Sequence, residues 1–149
     1  MNVKFREMNS GDRDEVLEMM KKFYSTPAVY TNGSEEIFKN DFENCIGESP
    51  YLEGYVFESE GQICGYSMLA KSFSTEFGKP CIWVEDIYIK ENSRNKGIGK
   101  KYFDFLKSRY TDVIFRLEVE EENNSAVHLY RKKGFGILPY VEMKTSDLV

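Results

Sequence analysis

The sequence has little of the chemistry that would support a metal centre or a disulfide framework. Its 149 residues include three cysteines and one histidine, and no two cysteines have the CxxC spacing of a zinc site. Cys45, Cys64 and Cys81 lie in apolar or strand-like contexts, which is typical of reduced, buried thiols in a cytoplasmic protein. We therefore predict a cytoplasmic location and no bound metal.

Long apolar runs and an excess of basic charge are also missing. No apolar stretch approaches the roughly 18 residues that a membrane helix needs, and the opening MNVKFREMNSGD has no apolar region of a signal peptide. The net charge of −5 disfavours a nucleic-acid partner, because domains that bind nucleic acid normally carry a basic field. The charge is compatible with a cationic small substrate, although solubility alone also explains it. We predict neither a membrane nor a nucleic-acid partner.

Hydrophobic patterning predicts one mixed α/β domain over residues 1–149, since the apolar fraction of 41% is sufficient for a globular core. Alternation and β-branched residues predict strands at 2–8, 51–59, 62–72, 81–89 and 112–120, with one or two more in 135–145. Helical periodicity predicts helices at 12–24, 34–46, 98–109 and from 123 to Gly134, the first two capped by Asp12 and Ser34. The order β-α-α-β-β-β-α-β-α-β disfavours a doubly wound Rossmann fold.

A glycine-containing turn, SRNKGIGKK, joins the predicted strand 81–89 to the next helix. It fits neither a P-loop nor the G-x-G-x-x-G dinucleotide fingerprint, in which Tyr102 would occupy the third glycine position. It does fit R-x-x-G-x-G, with Arg94, Gly97 and Gly99 in place. Backbone N–H groups at such a turn and at a helix N-terminus can bind a pyrophosphate, and Lys96 can add positive charge. A solvated basic turn explains the six residues equally well.

The flanking sequence favours the pyrophosphate interpretation. The turn resembles the coenzyme A-binding segment of the GNAT superfamily of N-acyltransferases, and NNSAVHLYRKKGF resembles that family's second motif, N-x-x-A-x-x-L-Y-x-x-x-G-F. The two motifs cover residues 81–136, whereas the N-terminal half matches only in its order of elements. The resemblance implies a GNAT-like fold, acetyl-CoA as co-substrate, and these cofactor-binding residues: Ile87, Tyr88, Ile89, Arg94, Asn95, Lys96, Gly97, Ile98, Gly99, Lys100, Asn123 and Tyr130.

Three details qualify this list. Asn95 stands where many relatives carry glycine, but asparagine tolerates unusual backbone angles better than most residues. Asn123 could bind the pantetheine or merely cap its helix. Ile87 and Ile89 would offer main-chain groups to the pantetheine and the acyl carbonyl, if a bulge opens this strand from the next.

The resemblance also implies an acid and a base. VEDIYI resembles the E-D pair of polyamine and diamine acetyltransferases, which implies that Glu85 accepts the proton of the amine or binds it. Tyr130 would be the general acid for the departing thiolate. An exposed strand-end carboxylate and a packed helix tyrosine are the alternatives. Strand alternation predicts that Glu85 shares the face of Ile87 and Ile89 and that Asp86 faces the other way, unless a bulge resets the register.

The acceptor is predicted to be a small cationic primary amine, such as a polyamine or diamine. The acidic run 118–122 could attract it, although a solvated charge run is the default interpretation. Candidate acceptor-binding residues are Tyr24, Tyr30, Glu35, Glu85 and Glu120. We predict direct acetyl transfer in a ternary complex. A peptide or protein N-acetyltransferase, a non-catalytic acyl-CoA-binding module and a domain without CoA remain alternatives. The resemblance further implies a possible homodimer through the C-terminal strands.

Overall fold

The computed structural model describes residues 2–145 and arranges them around a five-stranded sheet in the order β1-β2-β3-β4-β5. Its strands are β1 (Lys4–Glu7), β2 (Leu52–Ser59), β3 (Gln62–Ser74), β4 (Lys79–Ile89) and β5 (Ile114–Leu117). Neighbours β1 to β4 are antiparallel, and β5 runs parallel to β4. The helices are α1 (Arg13–Phe23), α2 (Glu35–Ile46), α3 (Ile98–Arg109) and α4 (Asn124–Lys132). The predicted mixed α/β fold is confirmed, and the order of elements agrees through α4.

Local sequence signals fix several boundaries. Glu60 and Gly61 join β2 to β3 with φ angles of 54° and 77°, the positive values that a tight two-residue hairpin requires. Ser34 caps α2, because its hydroxyl accepts a backbone N–H of the first turn at 3.2 Å. Gly134 has a φ of 92° just after α4, as its predicted role at the helix end requires.

The side chain of Asp12 does not cap α1. Its carboxylate instead accepts two hydrogen bonds from the Arg6 guanidinium, both at 2.9 Å, and one from the Asn9 backbone N–H at 2.8 Å. A bidentate hydrogen bond from a charged guanidinium is stronger than a capping hydrogen bond from a neutral backbone N–H. The tertiary contact with β1 therefore prevails.

The sheet separates two hydrophobic clusters. The α1/α2 face packs beneath the first two helices and includes Val16, Met20, Phe42, Tyr66 and Tyr88. The α3 face packs beneath the third helix and includes Leu69, Ile82, Val84, Tyr102 and Leu106. Both sides of the sheet are therefore buried, and a residue's face decides which environment its side chain enters.

The chain after α4 forms no strand within the described residues. The prediction of one or two strands in 135–145 is therefore wrong for this part of the chain. Gly136 and Pro139 interrupt it, and a proline cannot donate a backbone hydrogen bond to a sheet. Ile137, Val141 and Met143 are 79%, 89% and 93% exposed, so the segment leaves its apolar side chains at the surface.

The three cysteines form no disulfide and belong to no metal site in the part of the chain that the structure describes. Cys64 and Cys81 are buried, Cys45 is half-buried, and all three thiols are free. Among residues 2–145, no group of three or more histidine, cysteine or acidic side chains is arranged to hold a metal ion. No helix in the same range is long and apolar enough to cross a membrane.

Candidate active site

β4 loses one of its two neighbours halfway along its length. Within residues 2–145, β5 pairs only with Cys81–Val84, so the second half of β4 pairs with β3 alone. We call the unpaired side of that half the β4–β5 cleft. The Lys90 N–H donates to the Cys64 carbonyl of β3 at 2.8 Å. Because the direction of backbone groups alternates along a strand, the N–H groups of Ile87 and Ile89 point away from β3, into the cleft.

A β-bulge sits at the point where β4 leaves β5. Met68 of β3 pairs with Asp86, and the next residue, Leu69, pairs with Val84. Glu85 is therefore an extra residue on β4, and an extra residue shifts the alternation of side chains beyond it.

The bulge overturns the predicted alternation. Val84 and Ile87 both contact the cluster of the α3 face, although three positions separate them. Asp86 lies on the α1/α2 face, where its carboxylate accepts a hydrogen bond from the Tyr24 hydroxyl at 3.1 Å. Glu85 lies close enough to Asp86 for their charges to interact. Glu85 is the extra residue of the bulge, so the alternation that predicts opposite faces for Glu85 and Asp86 does not apply at this point.

Asp86 is a buried carboxyl group with two tyrosine donors. It is 3% exposed and accepts hydrogen bonds from the Tyr66 hydroxyl at 2.8 Å and the Tyr24 hydroxyl at 3.1 Å. Burial raises the pKa of Asp86 to about 6, even though both tyrosines favour its charged form. The negative charges of Asp41 and Glu85 act in the same direction as burial. Asp86 can therefore change protonation state near neutral pH.

Other carboxyl groups surround this position. The Glu85 side chain is exposed, but the neighbouring protein removes part of its hydration, which raises its pKa. The charges of Glu142 and Asp41 raise this pKa further. Glu118 lies just past β5, and the nearby carboxyl group of Glu142 raises its pKa. We call these five residues the acidic cluster: Asp41, Glu85, Asp86, Glu118 and Glu142. Such crowding of like charges is relieved by protons or by a bound cation.

The two glycines of the turn serve different purposes. Gly97 precedes α3 with a φ of 78°, and a Cβ added there would meet no atom within 4 Å. It is therefore needed for its backbone conformation and leaves open space before the helix. A Cβ at Gly99 would come within 3.0 Å of the Leu129 Cδ2, so Gly99 is needed for the packing of α3 against α4. Among the residues that the structure describes, no side chain caps α3, which leaves its first N–H groups available for an anion.

Arg94 is anchored to the end of β4. Its Nε donates to the Ile89 carbonyl at 2.8 Å, and its guanidinium lies 5.4 Å from the centre of the Tyr88 ring. That ring belongs to the α1/α2 face, and strand alternation directs the Tyr88 backbone toward β3. Tyr88 is thus not brought together with the backbone groups that Ile87 and Ile89 direct into the cleft.

The remaining predicted cofactor residues differ in their surroundings. Asn95 has a φ of 61°, so it adopts the left-handed conformation expected of it. Lys96 and Lys100 are exposed on the turn, whereas the side chain of Ile98 is buried. Asn123 caps α4, because its Oδ1 accepts a backbone N–H of the first turn at 3.4 Å.

Tyr130 of α4 packs on the α3 face. Its ring lies 5.6 Å from that of Phe103 and 6.0 Å from that of Phe135, both edge-on. Burial raises the pKa of its hydroxyl, so the group keeps its proton at neutral pH. A protonated hydroxyl is the state that a general acid requires.

The predicted acceptor-binding residues are only partly brought together. Tyr24 reaches Asp86 of the acidic cluster. Tyr30, at 76% exposure, and the exposed Glu35 and Glu120 make no hydrogen bond to the cluster in the part of the chain that the structure describes. Asp86 was not among the predicted site residues, because its role depends on the bulge. Asp41 and Glu142 carried no sequence signal, since only folding brings them near β4.

Comparisons with known proteins identify the family and agree with the fold. The model of the acetyltransferase (GNAT) family matches residues 14–135. Thialysine N-epsilon-acetyltransferase of Sus scrofa is 32% identical over 146 residues, which cover 89% of this chain and 84% of the relative. A possible acetyltransferase from Clostridium difficile 630 has a TM-score of 0.81 at 16% identity, with 97% of each chain covered. A solved aminoglycoside N-acetyltransferase in complex with CoA has a TM-score of 0.75 at 13% identity and covers 98% of this chain and 95% of its own. This chain belongs to the acetyltransferase (GNAT) family.

Proposed function

We propose that the protein is an acetyl-CoA-dependent N-acetyltransferase whose acceptor is a small cationic primary amine of the polyamine or diamine class. The observation that carries the proposal is the juxtaposition of the acidic cluster with the open half of β4. Backbone donors suited to an acyl thioester lie beside carboxyl groups suited to an ammonium group.

The residues present fit acetyl-CoA, which would supply the acetyl thioester. Ile87 and Ile89 direct backbone N–H groups into the β4–β5 cleft, where a pantetheine arm could pair with them as a strand would. The open space at Gly97 and the uncapped start of α3 suit a pyrophosphate. The exposed Lys96 and Lys100 add positive charge there.

Two side chains would handle the protons. Glu85 would accept one from the acceptor, since a protonated amine has no lone pair with which to form the new carbon–nitrogen bond. The raised pKa of Glu85 makes it a better base than an ordinary carboxylate. Tyr130 would give its proton to the sulfur as the carbon–sulfur bond breaks. Glu85 would then return its proton to solvent. The attacking nitrogen loses a second proton as it becomes an amide, and this proton would restore Tyr130 through solvent.

The acidic cluster supports a cationic acceptor. Neighbouring carboxyl groups help to raise the pKa values of Glu85, Asp86 and Glu118, and a dication would relieve that repulsion. The Sus scrofa relative is named for transfer to the ε-nitrogen of thialysine, which is an amine. We therefore expect free amines to be better acceptors than peptides.

The test is release of CoA from acetyl-CoA with a panel of spermidine, putrescine, lysine, thialysine, an aminoglycoside and a short peptide. We expect the highest kcat/KM with a polyamine or diamine. We also expect KM for that amine to rise with salt, because salt screens attraction between charges. A reaction without acceptor serves as the control for the three protein thiols.

Two other results would replace the proposal. Turnover with the peptide alone would make the protein a peptide or protein N-acetyltransferase. Absence of turnover with the whole panel, together with a Tm raised by acetyl-CoA, would favour a non-catalytic acyl-CoA-binding module.

We also propose that the chain forms a homodimer through its C-terminal segment. Tyr140 of this segment donates a hydrogen bond to Glu76 in the β3–β4 turn at 2.5 Å. The segment thus lies beside Phe73 and Phe77, which are 62% and 47% exposed. A second copy would cover this apolar surface.

Light scattering after size-exclusion chromatography should give twice the monomer mass for wild type. Val141→Asp should reduce the measured mass to that of the monomer. A wild-type monomer would contradict the proposal.

A further inference from the structure

Ser67 is a polar residue in the middle of a buried strand. Its side chain is fully buried, and its hydroxyl donates to the backbone carbonyl of Asp86 at 2.8 Å. The bond crosses from β3 to β4 immediately after the bulge residue, Glu85. A buried hydroxyl between two strands that are already paired requires an explanation beyond sheet formation.

Peptide geometry links this bond to the β4–β5 cleft. The carbonyl of Asp86 and the N–H of Ile87 belong to the same planar, trans peptide unit, so they point in opposite directions. When the Ser67 hydroxyl holds the carbonyl toward β3, the Ile87 N–H is held toward the cleft. No strand on the cleft side helps to hold this peptide, because β5 pairs only with Cys81–Val84.

We propose that Ser67 is a positioning residue that orients the Ile87 N–H toward the acyl oxygen of the bound thioester. The proposal rests on the proposed acetyl transfer and deepens it. A preorganised N–H stabilises the negative charge that develops on that oxygen without having to reorient during the reaction. Ser67 would act through the peptide and touch neither substrate.

Tyr102 lies behind Ser67. The Tyr102 hydroxyl is fully buried and makes no hydrogen bond of good geometry in the described part of the chain. The Ser67 hydroxyl is its polar neighbour and partly offsets the effect of burial on the Tyr102 pKa. A small movement would let Tyr102 donate to Ser67, and hydrogen bonds in such a chain strengthen one another.

The same pair of strands contains a matched control. Ser72 of β3 donates to the Cys81 carbonyl of β4 at 3.4 Å, but it is exposed. Its partner lies in the half of β4 that has strands on both sides. Replacing Ser72 removes the same chemical group from the same two strands without affecting a peptide that faces the cleft.

The first experiment compares wild type, Ser67→Ala and Ser72→Ala by NMR without any ligand. The chemical shifts of the Asp86 carbonyl carbon and the Ile87 amide nitrogen report on a hydrogen bond to their shared peptide. We expect both to move in Ser67→Ala and to stay in place in Ser72→Ala. Unchanged shifts in Ser67→Ala would overturn the proposal, whatever the enzyme does.

The second experiment measures kinetics with the best acceptor of the amine panel. We expect Ser67→Ala to lower kcat by about 10- to 100-fold, part of the effect of losing an oxyanion donor, with KM for acetyl-CoA within about threefold. Tyr102→Phe should lower kcat less, and Ser72→Ala should not change it. Equal kcat values in Ser67→Ala and wild type, or equal losses in both serine variants, would contradict a positioning role.

The two experiments separate this inference from the proposed function. If wild type has no transferase activity but Ser67→Ala moves the Ile87 signals, Ser67 holds the peptide as proposed. The proposed acetyl transfer is then the part that is wrong. If Ser67→Ala does not fold, which its far-UV circular dichroism would reveal, Tyr102→Phe carries the test. Tyr102→Phe should then both move the Ile87 amide signal and lower kcat.

Discussion

The two halves of β4 belong to one strand but have different neighbours. Cys81–Val84 has β3 on one side and β5 on the other, and three of its four side chains are buried. The second half pairs only with β3, begins with a bulge, directs backbone donors away from β3, and carries the exposed Glu85 and the buried Asp86. A strand paired on both sides contributes stability, whereas one paired on a single side retains groups for binding. The predictions below test this division of roles.

The largest effect is expected at the bulge. Glu85→Gln removes the proposed base while keeping the size of the side chain. We expect kcat to fall by about 100- to 1000-fold with little change in Tm, because the side chain is exposed. Steady-state kinetics and thermal melting would measure both quantities.

Glu18→Gln, an exposed change of the same kind on α1, controls for the loss of one negative charge. A comparable loss of kcat in both variants would attribute the effect to net charge and would remove Glu85 from the catalytic role.

The paired half of β4 should respond in the opposite way. Ile82 is 4% exposed and belongs to the cluster of the α3 face. Ile82→Ala should lower the free energy of unfolding by about 3 kcal/mol, because it leaves a cavity in a packed core. The activity of the molecules that remain folded should be nearly unchanged. Urea titration followed by fluorescence would measure the loss.

Ile37, on α2, is 51% exposed, so Ile37→Ala should lower the free energy of unfolding by less than about 0.5 kcal/mol. If both alanine variants lose the same amount, the paired half of β4 does not have the stabilising role given to it here.

Asp86, in the open half of β4, should make the free energy of unfolding depend on pH. Its pKa in the folded protein is about 6, above the ordinary value of 3.8. Between these values the folded state binds more protons than the unfolded state, so the free energy of unfolding falls as pH rises. Asp86→Asn removes this dependence and should be more stable than wild type at pH 8, by at most about 3 kcal/mol. The difference should shrink below pH 4.

Unfolding free energies measured from pH 4 to pH 8 would give the profile. Asp14→Asn, an exposed change on α1, controls for charge. A variant less stable than wild type at pH 8 would mean that the two tyrosine hydrogen bonds outweigh the burial of the charge.

The smallest effects are expected in the turn that follows β4. Gly97→Ala forces a side chain into a left-handed conformation, with a φ of 78°, and should lower the free energy of unfolding by about 1 kcal/mol. It should also reduce the rise in Tm that acetyl-CoA produces.

Asn95→Gly should change the free energy of unfolding by less than about 0.5 kcal/mol, because asparagine already tolerates its φ of 61°. Equal effects of the two changes would contradict the distinct role of Gly97.

Much of the fold could be predicted, because its signals are local. Ser34, Gly61 and Gly134 mark turns and caps by residue type, and the structure uses each of them as expected. The strand predicted at 112–120 shortens to Ile114–Leu117. Its acidic end does not pair with β4, since β4 turns away at the bulge. No property of the sequence between Leu117 and Glu120 marks that boundary.

The candidate site was predicted less completely, because it depends on contacts between distant segments. A period of two places Glu85 and Asp86 on opposite faces, and nothing in VEDIYI marks the extra residue. Asp12 shows a related limit, since its residue type predicts a helix cap, whereas its carboxylate binds the Arg6 guanidinium of β1.

By itself the sequence determined the order of elements through α4, the turn before α3 and the residue types available for acid–base chemistry. These properties follow from periodicity, backbone preference and short motifs, each of which acts over a few residues. Only the tertiary structure decided which groups meet. The bulge makes Glu85 an extra residue beside Asp86, and the separation of β4 from β5 frees the N–H groups of Ile87 and Ile89. Ser67 reaches the peptide that joins Asp86 to Ile87. Such meetings depend on how strands far apart in the chain align, and no local pattern of residues encodes that alignment.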